Sequence, residues 1–90
     1  MLMTIISSAG NTLLVNMDQF ICMGLEDIDP KTIRDATPGK SYSKINLAMN
    51  HQNCFLPIEF GETVWARKAI IKFAEAVAAK QDTFTFTEEI

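Results

Sequence analysis

The stretch TVWARKAIIKFAEAVAAKQDTFTFT, Thr63 to Thr87, changes its hydrophobic period partway along. Up to about Lys80, the residues Ala66, Ile70, Phe73, Ala74 and Val77 recur at spacings of three and four. That is the pattern of one buried helical stripe. Val64, Trp65 and Ile71 lie off its centre and widen the apolar face, while the alanines raise helix propensity and allow close approach. Gly61 breaks the extended pattern before it, and Thr63 stands where a helix cap is expected. From Thr83 the period drops to two, with Phe84 and Phe86 opposite the threonines. This predicts a terminal strand with one apolar face.

Working back from the helix, Cys54, Leu56, Ile58 and Phe60 alternate with Phe55, Pro57 and Glu59. Pro57 has no N–H for a ladder, so this strand belongs at an edge or carries a bulge there. Asn50 to Asn53 reads as a four-residue turn. Before it, Ser43, Ile45, Leu47 and Met49 share one side of a strand. In TPGK, Thr37 to Lys40, Pro38 suits the second position of a type II turn and Gly39 the positive φ of the third. Asp29 can cap one helical turn that opens at Pro30. Met17 to Leu25 is an apolar run that reads as a strand, either continuous or bulged at Gly24. Leu13 to Val15 and Leu2 to Ser7 complete the series, joined by the polar turn Ser8 to Thr12. The order predicts a single α+β domain over residues 1–90. Its simplest packing is an antiparallel sheet of about five to six strands with one long C-terminal helix across a face.

A hydrophobic share of 48% with 21% charged residues is that of a globular chain, not a disordered one. The net charge of −3 disfavours nonspecific binding to nucleic acid or anionic membrane. Met1 to Gly10 lacks the positive region of a signal peptide, and no apolar run reaches the roughly 20 residues of a membrane helix. A cytoplasmic setting is expected, with Cys22 and Cys54 as reduced, structural thiols.

TPGKS, Thr37 to Ser41, ends like a phosphate-binding loop. Arg34, however, occupies the place of the first glycine, and a strand pattern follows where a helix is required. His51 and Cys54 offer two soft ligands where a metal site needs three or four. From Asp27, a calcium loop would need glycine at its sixth place and glutamate at its twelfth, where Thr32 and Pro38 stand. No catalytic set, metal or cofactor is therefore expected. The carboxylates Glu26, Asp27 and Asp29 remain as a candidate partner-binding surface, since clustered acids can meet a basic patch. Arg67, Lys68 and Lys72 gather on the helix surface with less charge and fewer aromatics than nucleic-acid binding calls for.

The segment NTLLVNMDQF, Asn11 to Phe20, resembles the opening of small bacteriophage and prophage open reading frames that continue with a hairpin and one C-terminal helix. The resemblance carries no catalytic residues. It implies a compact accessory protein that works by binding, inhibitors of host defence being one such kind. The expectation is a non-enzymatic binding protein whose partner is a host protein, engaged through Glu26, Asp27 and Asp29. The alternative is an oligomer that sequesters a small phosphate-containing ligand beside Trp65, Arg67, Lys68 and Lys72. Phe84 and Phe86 are expected at the interface of a homodimer, because a lean core already claimed by the helix leaves them no cover.

Overall fold

A computed structural model describes residues 1–50 and 56–87. Strands β1 (Leu2–Ile6), β2 (Thr12–Asn16) and β3 (Phe20–Ile28) come first, followed by β4 (Tyr42–Met49) and β5 (Leu56–Glu62). Helix α1 (Thr63–Ala78) and strand β6 (Thr83–Thr85) complete the chain. The α+β class and the single C-terminal helix agree with the sequence pattern. The single sheet does not. The strands form two three-stranded sheets, ordered β2-β1-β6 and β3-β4-β5, and β6 runs parallel to β1.

The division arises at Met17–Gln19, where the expected strand gives way to one 3-10 turn. The Asn16 side chain accepts a hydrogen bond from the Asp18 N–H at 3.0 Å, bending the chain out of the first hairpin. Phe20 then opens β3 in the other sheet, with a register shift between Phe20 and Cys22. In the connection after β3, Asp29 caps the turn Pro30–Thr32 as its sequence predicts, accepting from the Lys31 N–H at 3.0 Å. Gly39 has φ +81° and the Lys40 N–H donates to the Thr37 carbonyl at 3.2 Å, so TPGK is a turn.

One core joins the two sheets and the helix. Met3, Ile5 and Val15 enter it from β1 and β2, and Ile45, Leu47 and Met49 from β4. The helix contributes Ala66, Ala69, Phe73 and Ala76. Its buried stripe is thus rotated from the expected one: Ala74 is exposed, and Ile70 and Val77 are only partly covered. Three alanines bring the helix backbone close to the strands, leaving Phe73 as its one large buried side chain. Nor is Thr63 the cap. Glu62 holds that position without a side-chain bond, while the Thr63 hydroxyl lies 2.8 Å from that of Ser43, which is fully buried.

The helix ends in a Schellman motif. The Lys80 N–H donates to the Val77 carbonyl and the Gln81 N–H to the Ala76 carbonyl, both at 3.0 Å, with Lys80 at φ 57°. This reversal sends the chain back beside β1, where the Thr4 N–H donates to the Asp82 carbonyl at 2.8 Å. Phe84 and Phe86 consequently fill the core of their own subunit, at 8% and 1% exposure, instead of standing on its surface as an interface would require. The Phe84 ring meets Phe73 edge-on at 5.3 Å and Phe86 at 5.0 Å. The premise that the helix leaves them no room fails because Phe73 is the one large side chain the helix buries, and both rings pack into the same core.

Candidate functional site

The outer face of the β3-β4-β5 sheet is built from rows that the strand register sets. One row runs Glu26, Lys44, Phe60 and the next Ile28, Tyr42, Glu62. The Lys44 ammonium lies 3.2 Å from a Glu26 carboxylate oxygen, and Lys40 lies 3.2 Å from Glu62. Phe60 stands in this charged setting with 60% of its surface exposed.

Its outward aim comes from a bulge. Leu56 pairs with Leu47 and Pro57 with Asn46, but Ile45 pairs with Glu59, so Ile58 is an extra residue in β5. One extra residue reverses the side-chain alternation beyond it. Phe60 therefore faces away from the core, although simple alternation groups it with Leu56. Pro57 is the signal that marked the irregularity, but it does not reveal which residue is inserted.

Beside Phe60 lies a cleft of about 420 Å³, lined by Ile28, Ile33, Lys44, Phe60, Asn11 and Ser7 among others. The β1–β2 turn forms one wall and is fixed there by the Ser8 N–H, which donates to a Glu59 carboxylate oxygen at 2.8 Å. The connection after β3 forms the opposite wall. It is held by the Tyr42 hydroxyl, which accepts from the Thr37 N–H at 2.8 Å. The site thus combines apolar side chains, short polar groups and one amine that already has a carboxylate partner.

Of the acidic residues singled out from the sequence, Glu26 lies on this face, Asp27 on the opposite one beside Ser43 and Asp29 beyond the strand end, so they do not act as one cluster. Glu26 is held by Lys44, and Asp27 accepts a long hydrogen bond of 3.4 Å from Ser43 Oγ. Asp29 is occupied as a cap. All three remain exposed. The second set is dispersed. By their spacing along α1, Trp65, Lys68 and Lys72 follow one flank, whereas Arg67 projects from another side. Trp65 Nε1 donates to the Thr87 carbonyl at 2.8 Å, and its ring packs 6.2 Å from that of Phe86. Lys72 lies 3.7 Å from Glu75. Trp65 is thereby a structural side chain that anchors the C-terminal strand.

Cys22, expected as a structural thiol, is exposed on β3, while His51 and Cys54 lie outside the described residues. Lys40 of TPGKS is turned toward Glu62, and the chain continues into β4 without a helix. Among the described residues, no group of three or more His, Cys, Asp or Glu side chains is placed to hold a metal ion. Also among them, no helix is long and apolar enough to cross a membrane. Comparison with protein-family models, with curated proteins and with solved structures finds no match to this chain.

Proposed function

We propose that the chain is a non-enzymatic binding protein that acts in the cytoplasm on a host protein, as a phage-type inhibitor, one kind among the small phage and prophage accessory proteins whose opening Asn11 to Phe20 resembles. The observation that carries this reading is the outward Phe60, 60% exposed beside an ion pair and a shaped cleft. An exposed aromatic rimmed by charge is the composition of an interface anchor. The exposed carboxylates of Glu26, Asp27 and Asp29 at the same end of the sheet suit a basic partner surface. Affinity capture with the intact protein and with Phe60→Ser tests the proposal. A stoichiometric host protein should be retained by the intact bait and by Ile71→Ser, and lost with Phe60→Ser. Equal retention by all three baits would remove Phe60 as the anchor.

A second reading is sequestration of a small phosphate-containing ligand, and the cleft favours it. Its volume of about 420 Å³ lies in the range of small-molecule sites, and Lys44 supplies a cation. On this second reading the ligand sits beside Lys44 on the sheet, an alternative to the helix-side set Trp65, Arg67, Lys68 and Lys72. Native mass spectrometry of protein purified from cells separates the two readings. A bound small molecule that Lys44→Ala abolishes supports sequestration, and a bound macromolecule supports the inhibitor reading.

A further inference from the structure

The hydrogen-bond phase of the first sheet leaves one edge ready to pair. The Met17 N–H donates to the Met1 carbonyl and the Ser7 N–H to the Asn11 carbonyl, both at 2.8 Å. With the register Leu2↔Asn16 to Ile6↔Thr12, these bonds place Met3↔Val15 and Ile5↔Leu13 among the bonded pairs of the ladder. The N–H and C=O groups of Thr12, Leu14 and Asn16 then point away from β1. Among the described residues, no strand pairs with that side of β2.

The other edges are guarded in ways that β2 is not. Strand β3 carries Glu26 and Asp27 and a register shift, and β5 carries Pro57, Glu59, Glu62 and a bulge. Strand β6 spans only three residues. Strand β2 reads TLLVN, with no charge, proline or bulge, and Leu14 is 63% exposed.

We propose that β2 pairs with β2 of a second copy, antiparallel across a two-fold axis through Leu14, making one continuous six-stranded sheet. The strand is complementary to itself in this register. Leu14 exchanges both backbone bonds with its symmetry mate, and the Thr12 carbonyl accepts from the Asn16 N–H of the other copy. The outward N–H groups of Leu14 and Asn16 and the outward carbonyls of Thr12 and Leu14 are then satisfied, while the Asn16 carbonyl already serves the turn Met17–Gln19. Leu13 faces Val15 across the axis on the core side, and the two Leu14 side chains meet on the outer side. A groove of about 280 Å³ already runs along this edge, lined by residues 13–16 of β2 together with Leu47, Met49 and Leu56, with Asn16 its one polar side chain. The second copy's Leu13 and Val15 suit its apolar lining. Charge selects the same edge: two copies each carrying −3 meet least repulsion through a segment with no charge.

Sedimentation equilibrium with amide exchange tests this. The intact protein should be a dimer at about 50 μM, above the micromolar range of a specific interface of ordinary size. The Leu14 amide should be protected in that dimer and lose protection on dilution. Leu14→Lys should be monomeric at the same concentration with an unchanged circular dichroism spectrum, because the side chain is exposed in the subunit. Leu14→Pro should behave likewise, since that N–H has no partner within the chain. Ile71→Lys, altering an exposed apolar residue on α1, should remain dimeric. A monomeric intact protein overturns the proposal, including the case in which the edge serves an unrelated strand. So does a dimer that survives Leu14→Lys or leaves the Leu14 amide exchanging freely.

Discussion

Gly61 sits opposite Ser43 in the sheet, and its lack of a side chain is what admits Trp65. A Cβ built there would lie 2.8 Å from Trp65 Cε3 and 3.1 Å from Cζ3. The indole cannot swing aside without losing its bond to the Thr87 carbonyl and its contact with Phe86. Gly61→Ala is therefore expected to destabilise the fold by about 1–3 kcal/mol, the usual range for overpacking. The midpoint of urea unfolding reads this directly, and a shift in Trp65 emission should accompany it. At Cys22 the same scale gives the opposite kind of result. Its thiol is exposed, so iodoacetamide should alkylate it in the folded protein within about tenfold of the unfolded rate. Peptide mapping identifies the site, and strong protection would contradict its placement on β3.

Among the elements, the link between α1 and β6 has the largest consequences. Lys80 adopts the left-handed conformation that glycine enters without strain, at φ 57°. Lys80→Gly should stabilise the protein by about 1 kcal/mol, because a left-handed residue with a Cβ costs roughly 1–2 kcal/mol. The matching test is the midpoint of thermal unfolding, which should rise. Beyond that link, Phe84 of β6 and Phe86 just after it supply two of the buried aromatic rings. Phe86→Ala should cost about 3–5 kcal/mol, since the ring is 1% exposed and the site can collapse only partly. Urea unfolding again provides the measurement. Chains ending before Thr83 should lose cooperative unfolding altogether, because both rings leave the core together.

For the whole molecule, one core common to both sheets and the helix makes separate unfolding of either sheet improbable on energetic grounds. Trp65 fluorescence reports the helix and the C-terminal strand, and far-ultraviolet circular dichroism reports the ensemble of strands. The two should trace coincident urea transitions. A first transition seen only by Trp65 would show that α1 and β6 open as a unit of their own.

Local chemistry set much of this in advance. Asp29 and Pro30 define a capped turn, and Pro38 with Gly39 a reversal, because their dihedral and hydrogen-bond preferences act within four residues. The alternation of Ser43, Ile45, Leu47 and Met49 identifies the inner face of β4 for the same reason, since side-chain direction in a strand needs no partner. The stretch from Thr63 to Thr87 establishes a helix followed by a strand, and with it the α+β class. What lay beyond the sequence are the choices in which two segments compete for one surface. Asn16 bending the chain at Asp18 separates two sheets that a continuous apolar run had joined. The extra residue Ile58 turns Phe60 outward, and only its partner strand determines where a bulge falls. The alanine face of α1 leaves space that can be filled by neighbouring protein or by the chain's own end. The Schellman turn at Lys80 directs Phe84 and Phe86 into that space. Burial of a hydrophobic strand is demanded by its composition, but the surface that buries it is decided by packing.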